Sequence, residues 1–511
     1  MATANSNSKR VLKNTLLLYV RMLAVMIVGL FTSRIVLNVL GVDDYGLYNV
    51  VGGMVVLLSF LNNAMAGATQ RYLNVALGKK NQIELNDVFR NALVLHLFVA
   101  VAIVVVAETI GLYVLNTYIK IPVGREWAAN WVYQFSVMSF IISVLAVPFT
   151  ACIIAHEKMS TFAWISIIDV LTKIIVVASL LWVNADKLIL YAVILFFHSC
   201  LTQSIYCFYC RKNFDECRIK KFLINKPLLK NMASFSSWTI VGNLSYLIHT
   251  QGIAIIVNLF FGVTVNAAQG VANTVNSLVK QFVTNFLLAF NPQVVKTYSA
   301  GEIDELHKLI LRGCRVACLM VAFFVIPLFL EAPTLLHLWL GFVPDYTIIF
   351  VRLVLLLTFF DSFSNLLATA KGATGNIKVY QIIVTLIGLL HLPIVWACFE
   401  VGFEPYWAQI VYVFIVIVLQ MVRIWFVCRA INMSKLLFYR EVVIRCVVAI
   451  SLSVIIPLYM HLYLPKNLYS SILISMVSMF FLVMTSLFVV FKQDERDKIL
   501  KMVKNKIRQV M

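Results

Sequence analysis

Long apolar runs separated by short polar breaks recur along the whole chain. Fourteen of them are close to or above the ~20 residues that carry a helix across a bilayer. They fall at 15–38, 47–68, 91–115, 130–155, 162–183, 188–210, 233–261, 264–291, 313–332, 346–370, 378–399, 406–428, 446–464 and 471–491. The pattern predicts an all-α polytopic membrane protein with about 14 transmembrane helices. Two polar breaks, about 81–90 and 302–312, mix charges with Leu and Ile at helical spacing, as does the tail 492–511. Such stretches are expected to lie flat at the interface. The apolar run after the polar start MATANSNSKR is too long for a signal-peptide core and lacks an A-x-A-like site, so it reads as an uncleaved first span.

Composition supports the pattern. Hydrophobic residues make up 61% of the 511 and charged residues 13%, against roughly 45–50% and about 25% in soluble domains. This excludes a secreted enzyme, a cytosolic binding module and a large soluble head on one anchor. The net charge of +19 would suggest nucleic acid in a soluble protein, but here the positive-inside rule accounts for it. Thirty-two of the 42 Lys and Arg lie in or at the edge of alternate loops on one side, four lie on the other, and six lie within spans. Both termini are therefore expected on the cytoplasmic side of the membrane, and no nucleic-acid partner is expected. Six of nine Trp (127, 131, 182, 339, 396 and 407) sit near the opposite boundary, as an interfacial belt would. Cys207-x-x-Cys210 and nearby Cys217 fit metal or redox chemistry in spacing. At an apolar helix end, small packing residues are the plainer reading.

The two halves of the chain resemble each other at an offset of about 221–224 residues. IVLNVLGVDDYGLYNVV from Ile35 aligns with IVNLFFGVTVNAAQGVANTV from Ile256, pairing Gly41 with Gly262, and Gly78 then pairs with Gly301. The repeat predicts two six-helix bundles related by a pseudo-two-fold axis along the membrane normal, with two extra C-terminal helices. The expected boundaries are an N-tail at 1–14, a bundle at 15–210, a basic linker at 211–232, a second bundle at 233–428, helices 13–14 at 429–491 and a basic tail at 492–511.

At this point the sequence resembles a known family. The resemblance is carried by Arg34-IVLNVLGVDDYGLYNVV, Ala68-TQRYLNVALGKKN, Phe290-NPQVVKTYSAG, His337-LWLGFVPDYT, Ala370-KGATGNIKVYQIIV and His391-LP, in this order. Together they resemble the polysaccharide flippases, of O-antigen and capsule type, in the multidrug/oligosaccharidyl-lipid/polysaccharide exporter (MOP) superfamily. The resemblance implies movement of an undecaprenyl-pyrophosphate-linked oligosaccharide from the cytoplasmic to the periplasmic leaflet, in lipopolysaccharide or polysaccharide biosynthesis. It also implies membrane lipid and other polysaccharide-assembly membrane proteins as partners. No cofactor, resident metal or catalytic residue is expected.

Pyrophosphate cannot cross hydrocarbon without a polar path, so intramembrane charges mark the candidate cavity. The basic candidates for pyrophosphate or sugar binding are Arg34, Lys280, Arg21 and Arg352, with Asn276 and Asn285 beside Lys280. Arg21 and Arg34 lie on roughly opposite faces of span 1, about 20 Å apart along the axis, and Arg21 reads equally as a residue snorkelling to the inner headgroups. Arg423 reads as an inner anchor. Asp361, Asp169 and Lys173 are the candidates for coupling to a proton or sodium ion. Asp169 and Lys173, four apart on span 5, face each other across one turn and read equally as a self-neutralising pair. Asp361 has no basic partner three or four residues away on its own helix. Two other classes remain open. A cation-coupled multidrug or metabolite antiporter of the same superfamily would suit twelve spans better. A membrane enzyme would need a larger outer loop than 116–129, whose one acid is Glu126.

Overall fold

The computed structural model describes the chain except Met1, Leu57, Lys120, Pro122, 181–185, 219–223, 341–342, Lys492, Asp494 and 498–511. At some helical positions, Arg34 among them, the backbone alone is described. The expectations for the tail 492–511, for Trp182 and for the middle of the 211–232 linker lie largely outside the described residues.

The described secondary structure is helical throughout. The chain divides into two compact units, Met1–Leu244 and Ser245–Met511. The first contains α1 (Ala2–Val56), α2 (Ser59–Gly78), α3 (Gln82–Val106), α4 (Leu112–Tyr118), α5 (Glu126–Ala155), α6 (Met159–Ser179) and α7 (Lys187–Asn213). The unit boundary falls inside α8 (Lys226–Ser299). The second contains α9 (Ile303–Leu330), α10 (Ala332–Leu340), α11 (Thr347–Phe360), α12 (Ser364–Ala373), α13 (Lys378–Leu389), α14 (His391–Glu400), α15 (Trp407–Ala430), α16 (Lys435–Phe438), α17 (Arg445–Tyr463) and α18 (Leu468–Thr485). Among the described residues, eleven helices are long and apolar enough to cross a membrane. The other three expected spans, 15–38, 47–68 and 264–291, fall on α1, on α1 with α2, and on the second part of α8.

In the first unit α5 is the central helix, packed against α7, α2, α3 and α1. Its small residues allow this: Ala128, Ala129, Ala146, Ala151 and Ala155 are buried, and small side chains let helix backbones approach where lipid supplies no hydrophobic drive. In the second unit α15 packs against α11, α12 and α13, while α17 and α18 pack together and against α9. A buried carboxylate fastens these last two helices. Glu331, just past α9, accepts from Ser471 (2.5 Å) and pairs with His461 Nδ1 (2.7 Å).

Backbone conformation follows the repeat. Gly41 has φ 79°, ψ 173° and Gly262 has φ 79°, ψ −171°. This extended positive-φ region is open essentially to glycine alone, and at both sites it lets one helix end and the next begin without a loop. Left-handed residues also recur in corresponding turns: Lys80 and Gly301 after the second span of each half, Gly124 and Tyr346 before the fourth, Glu157 and Gly375 after it. Lys80, at the 221-residue offset, is therefore the counterpart of Gly301, and the alignment of Gly78 with it is corrected by two residues.

The two segments expected to lie flat do not form separate helices. Gln82 onward runs without interruption into α3, capped by the Asn81 side chain accepting from Glu84 N, and Ile303 onward runs into α9. Their apolar positions are used against neighbouring helices: Leu85, Val88, Phe89, Leu306 and Ile310 are all buried. Of the in-span prolines, Pro148, Pro327 and Pro457 sit inside continuous helices. Only at Pro393 does the helix break, at Leu390 between α13 and α14.

Candidate functional site

Each unit has a polar cavity, and both cavities draw on the second, fourth, fifth and sixth spans of their half, the second unit's adding Tyr246, His249, Thr250 and Ile253 from the first. In the first unit a cavity of about 640 Å³ lies among the second part of α1, α5, α6 and α7. Asp169 and Lys173 line it, with a hydroxyl- and amide-bearing wall that includes Ser136, Ser139, Ser199 and Gln203. Of the two readings of Asp169 and Lys173, the self-neutralising pair is not seen among the described residues. The Asp169 carboxylate instead accepts from Thr202 (2.7 Å) and lies 3.7 Å from His198 Nε2, both on α7. The Gln203 amide oxygen is buried without a hydrogen-bond partner, a polar atom that water or a ligand would satisfy.

In the second unit a smaller cavity, about 100 Å³, lies among α8, α11, α14 and α15, the last three being parts of the fourth, fifth and sixth spans of that half. Lys280, Asn276 and Asp361 all line it. Asp361 stands at the junction of α11 and α12, in a single 3₁₀ turn, Asp361–Phe363. The break turns its carboxylate toward two cations from other helices. Lys280 Nζ lies 3.5 Å from Oδ2 and Arg423 Nη1 lies 3.2 Å from Oδ1. Ser364 and Gln420 donate to the same carboxylate. Asn276 Oδ1 accepts from Thr358 at 2.5 Å. Two cations on one carboxylate leave a local excess of one positive charge.

Arg423 is thus a member of this cluster and not an inner anchor. Its distance in sequence from Asp361 hid the pairing. Two histidines and a tyrosine that sequence reasoning passed over complete the wall. His249 Nε2 and His391 Nδ1 are 2.6 Å apart, His391 Nε2 faces Ala408 O at 2.8 Å, and both rings lie against Tyr412. The signal available was His391-LP, where Pro393 breaks the helix and turns the preceding residues inward.

The remaining candidates are dispersed. The Asn285 side chain is buried and donates to Gln281 O on its own helix (2.9 Å), outside the Lys280 cavity. Arg352 donates to Phe329 O (3.1 Å) and lines a separate recess with His337, Asp345 and Tyr406. The Arg21 guanidinium lies 4.6 Å over the Phe162 ring, a cation–π contact within the first unit. The Arg34 side chain lies outside the described residues.

Spanning helices in two repeated sets, each around a polar cavity, define a polytopic membrane protein of transporter architecture. The comparisons agree. A crystal structure of a MATE mutant superposes with a TM-score of 0.71 at 13% identity, covering 85% of this chain and 97% of the other. A multidrug resistance MATE family transporter of the MOP superfamily, in an outward-facing conformation, gives 0.70 at 14%, covering 83% and 95%. A MOP superfamily transporter from Pyrococcus furiosus gives 0.71 at 12%, covering 84% and 97%. These likenesses establish the fold. A search of curated protein sequences finds no match. The family model "Polysaccharide biosynthesis protein" matches residues 11–297, more than half of the chain. The chain belongs to that family, in agreement with the resemblance read from its motifs.

Proposed function

We propose that the protein is a flippase that carries an oligosaccharide on undecaprenyl pyrophosphate from the cytoplasmic to the periplasmic leaflet of the inner membrane, by alternating access. Membership of a polysaccharide biosynthesis family on a transporter fold is the observation that carries this reading. The two cavities suit different parts of the task. At about 640 Å³, the first-unit cavity has the size of a small-molecule site, typically ~300–1,000 Å³, and its hydroxyls and amides match the hydrogen-bonding groups of a sugar. The second-unit cavity, at about 100 Å³, has room for an ion and a few waters at ~30 Å³ each. Here Asp361, held between Lys280 and Arg423, would exchange partners as a proton or sodium ion enters. The protein performs no covalent chemistry in this scheme. The tails and the 211–232 linker lie on the cytoplasmic side, in keeping with the Lys and Arg bias. Residues 15–210 and 233–428 act as the two moving bundles.

The test is made on a strain lacking the gene, by extracting polyprenyl-linked oligosaccharides and determining the leaflet they occupy. Accumulation on the cytoplasmic leaflet, relieved by restoring the gene, supports the reading. Unchanged lipid-linked glycan would overturn it in favour of a cation-coupled small-molecule antiporter. The ion-sized cavity at Asp361 would serve that activity equally well.

A further inference from the structure

One cluster in the first unit takes no part in either cavity. α5 ends at Ala155, and Cys152 and His156, four residues apart, lie on one face of its last turn. The 3₁₀ turn Asp215–Cys217, just after α7, brings Glu216 and Cys217 against that face. His156 Nε2 lies 2.6 Å from Glu216 Oε1, Cys152 Sγ lies 3.3 Å from the same oxygen, and Cys217 Sγ lies 3.7 Å from Cys152 Sγ. The ligand atoms of Cys152, His156 and Glu216 all fall within 4.8 Å of one another.

We propose that Cys152, His156 and Glu216 hold a zinc ion that staples the turn after α7 to the end of α5. The spacings fit. A thiolate at about 2.3 Å and a carboxylate oxygen at about 2.0 Å from a tetrahedral zinc stand ~3.5 Å apart, close to the 3.3 Å between Cys152 Sγ and Glu216 Oε1. The His156–Glu216 contact opens by less than ~1 Å to reach ~3.3 Å. Burial fits as well. Cys152 and Glu216 are 0% and 4% exposed, and a carboxylate so enclosed is held by a cation, either a protonated His156 or a metal that His156 shares with it. Stacking on Phe214 (4.2 Å between centroids, 16° between planes) holds the His156 ring in place, the kind of support that orients a metal ligand. Zinc enters as the Cys152 thiol loses its proton. One thiolate, one carboxylate and neutral His156 leave the zinc site with no net charge. Cys210 is excluded from the set because its thiol donates to Phe149 O (3.3 Å). The Cys207-x-x-Cys210 spacing noted in the sequence is thus not the ligand pair. On the cytoplasmic side these thiols stay reduced, which favours a metal over a disulfide.

The test uses the full-length protein in detergent, purified without chelator. Elemental analysis should find about one zinc per chain. The metal-stripped protein should take up cobalt with the absorption of a tetrahedral site and thiolate-to-cobalt charge transfer. Cys152→Ser and Glu216→Ala should each lower retained zinc at least tenfold, while Cys207→Ser should retain it fully. If Cys152→Ser does not fold, the wild-type cobalt spectrum still decides. Absence of the thiolate band, equal zinc in the Cys152→Ser and Glu216→Ala proteins, or a Cys152–Cys217 disulfide in fresh material would each overturn the proposal.

Discussion

Lys280 Nζ on α8 lies 3.5 Å from Asp361 Oδ2 at the α11–α12 junction, so neither charge can change without affecting the other. Both side chains are about one-third exposed, and water screens part of their attraction. Lys280→Ala and Asp361→Asn should each reduce glycan export at least tenfold with membrane protein levels unchanged. The double variant should be little worse than either single one, because contacting residues are non-additive. The leaflet assay of lipid-linked oligosaccharide checks this; multiplying defects would mean that the two residues act separately. Asp361→Asn should also flatten the dependence of export on the ion gradient.

Gly41→Ala and Gly262→Ala force a Cβ into a backbone region that costs about 1–3 kcal/mol for other residues, although nothing lies within 4 Å of either added atom. Each should lower the melting temperature of the purified protein. Gly270→Ala is the control: it also has open space and has no positive φ. A mid-helix alanine there should be neutral or stabilising, by up to about 1 kcal/mol. Equal loss in all three would show that the kinks are unstrained.

Glu331→Ala removes the acceptor shared by His461 and Ser471. Leaving buried polar groups unsatisfied costs about 1–3 kcal/mol each, and both lie on the helices fastened by that residue. Hydrogen exchange should rise selectively in α17 and α18, with the first unit unaffected. Glu331→Gln, which keeps an acceptor, should fall between the parent and the alanine variant.

Lys173 lines the larger cavity and makes no ion pair with Asp169 among the described residues. Lys173→Ala should therefore lower export without lowering thermal stability. Asp169→Asn, which keeps an acceptor for Thr202, should be milder in stability than Asp169→Ala. Loss of stability in Lys173→Ala would assign that residue a structural role.

The helical architecture was legible because a bilayer imposes a length and an apolar composition on every span, and both are local properties of sequence. The repeat was legible through Gly41 and Gly262, since no other residue accepts their conformation. Lys80 hid its correspondence to Gly301 because a left-handed turn accepts either residue. The candidate site was legible only in part. Charge within an apolar run marked Lys280 and Asp361 as candidates, since such charges are costly wherever they fall. It could not show that Arg423, 62 residues from Asp361, meets the same carboxylate, or that Asp169 turns to Thr202 in place of Lys173. Nor could it show that Arg352 and Asn285 face away from the Lys280 cavity. Cys152, His156, Glu216 and Cys217 met for the same reason, through the packing of α5 against α7. Hydrophobicity along the chain determines which segments enter the membrane; which side chains meet depends on helix rotation and on breaks such as the one at Asp361, and these are set only when the helices pack.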